Sequence, residues 1–209
     1  MIKVLNATNN PIQFIGKVAG ICYNSKDEPQ ANYKRGMKCI KDNHGRVMEY
    51  ADVTLVLDGY SARVMRELYT HCVGTSRVQA STRYITYDNF DYYTPECLEG
   101  NKEYHKAMKN ILDSYDMLVK NGIQKEHAAN LLPLGMTSKV VLKINYRALL
   151  HMAEVRMCER AYIEFRELMK DIIDAVSAID EEWGTLMSYM KPKCRICTEK
   201  DNCPRLKAE

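Results

Sequence analysis

The residues best suited to chemistry lie in one run, Thr70-His71-Cys72-Val73-Gly74-Thr75-Ser76-Arg77-Val78-Gln79-Ala80-Ser81-Thr82-Arg83-Tyr84. It offers hydroxyls at Thr75, Ser76, Ser81 and Thr82, an amide at Gln79, and guanidiniums at Arg77 and Arg83. Such a set suits phosphate: hydroxyls and backbone N–H groups donate, and an arginine grips two oxygens at once. A solvated helix-to-strand loop fits the same composition equally well. The run has no apolar periodicity, so it reads as a polar loop and not as core.

Arginines supply the second anomaly. A helix capped by Asn145 is expected to run to about Ile179, the longest in the chain. At about 100° per residue, Leu149, Met152, Ala153 and Ile163 share a face, and Arg156 and Arg160 fall on it too. A guanidinium in an apolar stripe is costly unless paired. It is therefore a snorkelling or ion-paired side chain, or one held in a dry pocket for an anionic or carbonyl-rich ligand. Arg147, His151 and Glu154 lie on the opposite face, where solvent or another subunit is the ordinary neighbour.

Other reactive residues give weaker patterns. The five histidines (44, 71, 105, 127 and 151) match no zinc-ligand spacing. No Ser–His–Asp or Cys–His arrangement is readable from order alone. Cys72 and Cys158, at helical positions among apolar neighbours, read as inert packing. Near the C-terminus Cys194-Arg-Ile-Cys197 is followed by Cys203. Three such thiols suit zinc or iron–sulfur, but no fourth ligand is evident, so no metal is assigned.

Elements that position these residues follow from local signals. Ile2, Val4 and Leu5 begin a short apolar segment. Phe14 to Tyr23 is a strand or a helix edge, Ser25 to Lys41 leads into a helix past Pro29, and Asn43 to Arg46 is a turn. Asp52 to Asp58 alternates as a strand, with Val53, Leu55 and Leu57 on one face. Ser61 caps a helix through Val64, Met65, Leu68 and Cys72, which Gly74 stops. A helix from Asn101 stripes Tyr104, Met108, Ile111, Leu112, Tyr115 and Leu118 before Gly122. Lys125 to Leu131 is a short helical turn, and Ser138 to Ile144 a strand. Trp183, Leu186, Met187 and Met190 continue an apolar pattern.

With 209 residues, 46% of them hydrophobic, the chain is long enough to bury a core. A net charge of +3 from 30 basic and 27 acidic residues is too balanced for a nucleic-acid or membrane footprint. No apolar run reaches membrane-span length and no leader pattern opens the chain. Eight scattered cysteines look like reduced thiols of a cytoplasmic protein. The expected architecture is α+β: a single domain over 1–190, with a mixed or antiparallel sheet packed against long helices, and a polar cysteine-bearing tail over 191–209.

Three segments together resemble the flavin-dependent thymidylate synthases. Gln79-Ala-Ser81-Thr-Arg83-Tyr84 matches that family's Ser-x-Arg-Tyr ending. Asn145-Tyr-Arg147-Ala-Leu149, with Arg156 nine residues beyond Arg147, matches a second segment. His44, five residues before Glu49, matches a third. The likeness runs over His44 to Tyr84 and Ala128 to Arg166. It implies reductive methylation of dUMP to dTMP, with methylenetetrahydrofolate as carbon donor, FAD as hydride carrier and NADPH to recharge it. It also implies a homotetramer with active sites between subunits. On that carry-over Gln79, Ser81, Arg83 and Arg156 hold the nucleotide, Arg156 being the catalytic group at the pyrimidine. His44, Glu49, His71, Asn145 and Arg147 fall to FAD, and Arg77 and His151 join them.

The chain departs from the family pattern in places. Thr70, Cys72 and Asn130 stand where many members have arginine, and the spacer to Ser81 is one residue longer. Arg77 and Lys139 are the cations available to resupply charge. Two other functions share these residue types: a flavoenzyme adding another one-carbon group, such as hydroxymethyl, and a non-catalytic nucleotide- or nucleic-acid-binding module.

Overall fold

The computed structural model describes residues 1–87, 89–194, 197–198 and 200–203. Positions 195, 196, 199 and 204–209 of the expected tail lie outside them. Four strands, β1 (Ile2–Ala7), β2 (Asp52–Ser61), β3 (Thr75–Gln79) and β4 (Thr137–Asn145), form one sheet in the order β1-β2-β4-β3. Backbone bonds give its sense. Thr8 pairs with Asp52 and Met1 with Asp58, Ala62 with Met136 and Tyr146 with Ala51, Ala80 with Lys139 and Asn145 with Gly74. In each pair of strands the partners run in opposite directions, so the sheet is antiparallel.

The described residues also form nine α-helices: α1 (Pro11–Ile21), α2 (Pro29–Lys41), α3 (Gly45–Met48), α4 (Ala62–Leu68), α5 (Lys102–Lys120), α6 (Lys125–Ala128), α7 (Tyr146–Arg156), α8 (Ile163–Ser177) and α9 (Glu181–Met187). The class is α+β, as expected. Packing divides the chain into two compact units. The smaller takes in Met1, Leu57–Thr70 and Val78–Val141; the larger takes in Ile2–Val56, His71–Arg77 and the chain from Leu142 onward.

The smaller unit is built on α5. It begins where expected, capped by the Asn101 side chain accepting from the Tyr104 N–H. Met108 and Tyr115 are the buried part of its stripe. Ser61 caps α4 by accepting from Val64 N–H, a contact that typically stabilises by about 1 kcal/mol.

In the larger unit α1 packs on α2, and α8 on β1 and α9. Phe165, Leu168, Met169, Ile172 and Val176 of α8 are fully buried, as are Trp183 and Leu186 of α9. The Glu182 carboxylate is buried at the start of α1, where it accepts from Ile12 N–H (2.7 Å) and Gln13 N–H (3.1 Å). An acid there satisfies two orphan donors at the positive end of a helix.

Four expectations need correction, and one open choice is settled. Phe14 to Tyr23, open between strand and helix, lies mostly in α1. The turn at 43–46 winds into α3. The helix from Ser61 stops at Leu68, leaving Cys72 outside it and exposed. The run after Gly74 is an edge strand, not a loop: β3 shows alternating exposure with only Val78 apolar, and its order comes from pairing with β4. An edge strand can be polar, so periodicity misses it.

The fourth correction is the long helix, which breaks after Arg156 and restarts at Ile163. No glycine or proline marks the break. The apolar stripe itself explains it. Continued straight, Phe165, Leu168 and Ile172 would point roughly opposite to Leu149, Met152 and Ala153, about 100–160° around the axis. Both sets are fully buried because the chain turns between them. Arg160 lies exposed in that turn, and Ile163 is 42% exposed.

Candidate active site

The larger unit holds a cavity of about 480 Å³ whose walls include Gly45, Glu49, Gly74, Asn145, Arg147 and His151. Three elements meet there: the α3 turn, the segment entering β3, and the first two turns of α7. Asn145 joins two of them. Its side chain caps α7 by accepting from Ala148 N–H (2.9 Å), while its own N–H donates to Gly74 O (3.0 Å). Gly74 adopts φ +72°, and a Cβ there would lie 2.5 Å from Asn145 Nδ2. Glycine is thus required twice over, by backbone and by space. A Cβ on Gly45 would likewise meet Arg147 Nε at 2.7 Å, so that guanidinium lies across bare backbone.

Charge around the cavity is paired. Arg147 donates to Glu49 Oε1 at 2.6 Å, with both side chains partly in solvent. Glu154, on the cavity wall, lies 3.5 Å from Lys193 Nζ and 3.8 Å from His151 Nδ1. Arg147 has five N–H donors, so its bond to Glu49 leaves others for an anion.

Beside His151 stands a second cluster, centred on half-buried His71. The two rings are 6.3 Å apart, and Phe165 lies 6.1 Å from His71. Arg156 Nε donates to His71 Nε2 at 2.9 Å, and its guanidinium sits 4.8 Å over the Phe165 ring. Burial first, then the nearby charges of Arg156, His151 and Arg77, lower the His71 pKa to about 4. The ring is therefore neutral at pH 7, accepting at Nε2 with its proton on Nδ1. Its backbone carbonyl accepts from Thr75 Oγ1 (2.7 Å) and Arg77 (3.1 Å), closing the turn into β3.

In the smaller unit the remaining candidates follow β3. Gln79 Nε2 donates to Ser138 Oγ at 3.1 Å. Ser81 Oγ accepts from Arg83 N–H, and the Ser81 carbonyl receives Tyr84 N–H and Ile85 N–H. Arg83 is exposed, 2.9 Å from Glu126 and 5.9 Å from the Tyr84 ring centre. Lys139 pairs with Asp58 at 2.8 Å, and Asn130 donates to the His127 carbonyl.

The structure thus brings Glu49, Asn145, Arg147 and His151 to one cavity, and Arg156, Arg77 and His71 to one cluster. His44 directly precedes α3 without a side-chain capping bond, and it is exposed and off the cavity lining. Sequence reasoning missed Gly45 and Lys193 on the wall and Phe165 beneath Arg156. Lys193 and Phe165 carry no local signal, since distant chain segments deliver them. Cys194, Cys197 and Cys203 are free and half-buried.

Residues 3–180 match the family model described as thymidylate synthase complementing protein. The chain belongs to this family. Among relatives, it is 27% identical to the flavin-dependent thymidylate synthase of Thermococcus onnurineus over 97% of this chain and 88% of that one. It is 28% identical to the enzyme of that name from Geobacter sulfurreducens, over 85% and 82%. The fold is similar to that of the Helicobacter pylori flavin-dependent thymidylate synthase crystallised with FAD and dUMP. There the TM-score is 0.74 at 17% identity, covering 91% of this chain and 99% of that one. No helix among the described residues is long and apolar enough to cross a membrane.

Proposed function

We propose that this protein is an FAD-dependent thymidylate synthase that converts dUMP to dTMP, with methylenetetrahydrofolate as carbon donor and NADPH as reductant. The observation that carries the reading is the Arg156 guanidinium, stacked on Phe165 and bonded to a neutral histidine. The bond to His71 and the stack on Phe165 hold the guanidinium in one place. Reduction of a uracil ring builds negative charge on a ring carbonyl. A guanidinium already in place stabilises that charge with no reorganisation at the moment of reaction.

The cavity in the larger unit suits part of FAD. Arg147 and Lys193 on its wall match phosphate oxygens, and the glycines at 45 and 74 allow a ligand to approach the backbone. When bound, FAD supplies the hydride. Glu49, Asn145, Arg147 and His151 position it, with His71 and Arg77 shaping the adjoining turn and His44 the entry to α3. Gln79, Ser81 and Arg83 hold the nucleotide, Arg83 by exchanging Glu126 for an anionic oxygen. The enzyme assembles as a homotetramer with active sites between subunits, residues 1–190 forming the synthase domain. No protein nucleophile is required.

Anaerobic incubation of the flavin-loaded protein with dUMP, methylenetetrahydrofolate and NADPH tests this. Expected are NADPH oxidation stimulated by dUMP and a product one methyl group heavier than uridylate. A hydroxymethyl mass would give the protein a different product. Protein that stays colourless after addition of FAD, with no dUMP-dependent NADPH loss, would overturn the proposal.

A further inference from the structure

The cysteine-bearing tail acquires in the fold what it lacks in sequence, a fourth thiol. A second cavity of the larger unit, about 170 Å³, is walled by Cys158, Cys194, Cys197 and Cys203, with Lys193 and Lys200 beside them. Cys158 is not in a helix: it lies in the turn between α7 and α8, half-buried and unbridged. The tail is led to it by backbone pairing. Lys193 N–H donates to Glu154 O (3.2 Å), bringing the tail to the end of α7. Beyond it, Cys197 N–H turns back to Cys194 O (3.2 Å) and Cys203 N–H to Lys200 O (3.2 Å). These two turns leave all three tail thiols on the wall of the cavity that Cys158 also lines.

We propose that Cys158, Cys194, Cys197 and Cys203 form a four-thiolate site for an iron–sulfur cluster. Spacing and size both favour a cluster over a lone ion. Zinc sites of four cysteines are commonly two close pairs. Here three cysteines are close, in the pattern Cys-x2-Cys-x5-Cys-Pro, and one is remote. Three near ligands with a distant fourth, and a proline after the last cysteine of a run, occur among cluster ligands. A single zinc draws its thiolates to about 2.3 Å from one centre. Among the described residues no group of three or more His, Cys, Asp or Glu is drawn together around one metal position, so the four thiols share a cavity wall without converging on a point. Sulfurs spread around a cavity suit a guest of several atoms. In binding, each thiol gives its proton to solvent and its sulfur bonds one iron, with no net electron transfer. The resulting anionic centre has Lys200 as a neighbouring cation, with Lys193 paired to Glu154 on the same wall.

The test uses the full chain with its thiols reduced, isolated anaerobically or reconstituted without oxygen with equal parts of ferrous and ferric iron and with sulfide. Expected are about four iron and four sulfide per chain, with a cluster signature in the Mössbauer spectrum, to which flavin does not contribute. Cys158→Ser and Cys203→Ser should each lose most of that iron, while Cys97→Ser, an exposed thiol of the smaller unit, keeps it. Should the serine variants misfold, alkylation of wild-type protein decides. Iron loading should protect Cys158 and the three tail thiols while Cys22 and Cys97 react as before. The proposal fails if no iron is retained, if one zinc without sulfide fills the site, or if Cys158 stays as reactive in loaded protein as in unloaded.

Discussion

Four guanidiniums of this protein sit in two kinds of setting. Arg156 and Arg77, in the larger unit, both bond to His71, one to its neutral ring and one to its carbonyl. Arg147 in the same unit and Arg83 in the smaller one each face a carboxylate, Glu49 and Glu126. A neutral acceptor orients an arginine without itself competing for an anion. A carboxylate orients it too, but an anionic ligand must then compete with the acid. A guanidinium fixed in place suits catalysis, and one in an exposed ion pair suits binding and release.

The largest effect should come from the first kind. Arg156→Ala is expected to lower dTMP formation by about 10²–10³, the usual cost of losing one donor to a developing oxyanion. NADPH-dependent flavin reduction should survive, which separates lost chemistry from a lost fold. Turnover close to wild type would mean that the stacking on Phe165 is structural only.

Arg77→Ala sharpens the contrast within that kind. A charge-assisted bond contributes about 1.5–3 kcal/mol, so loss of a phosphate contact should weaken FAD roughly 10–150-fold at low salt. Titration of FAD into the apo-protein measures it. Unchanged affinity would confine Arg77 to closing the turn over His71.

For the carboxylate-paired kind the expected effects are smaller and of both signs. Arg83→Ala should raise the dUMP KM by about tenfold, within what one charged hydrogen bond supplies. Glu126→Gln should lower it by up to about fivefold, since an exposed pair is worth at most about 1 kcal/mol. If both variants raise KM, the exchange of Glu126 for substrate is wrong.

The smallest effect is on stability against pH. His71 has its folded pKa lowered to about 4 from an ordinary 6.5. The unfolded chain therefore binds the extra proton first. The stability tied to neutral His71 is present in full above about pH 6.5 and is lost as the pH falls through about 4. Thermal melts between these values should show wild type losing more Tm than His71→Gln, whose amide oxygen can still accept from Arg156. Parallel curves would show that the ring does not titrate in that window.

Much of this was legible without coordinates because it is local. Caps at Ser61, Asn101 and Asn145 each pair a side chain with an N–H three residues on, so spacing alone reveals them. The alternation of Val53, Leu55 and Leu57 gave β2 for the same reason. The break after Arg156 was missed: its only local trace is the apolar stripe changing sides, with no glycine or proline to announce it. The family motifs named Arg147, Arg156, Asn145 and Glu49, and these do come together in one unit.

What the sequence by itself determined, then, is the set of helices and strands whose signals lie within a few residues, and the identity of the arginines. Tertiary structure alone decided what those arginines face. The neutral His71 against Arg156, the Phe165 ring beneath it, Lys193 beside Glu154, and Cys158 opposite the tail thiols all join segments far apart in the chain. The physical reason is that a side chain's charge, burial and partner are set by whatever the fold brings within a few ångströms, and periodicity carries no record of that.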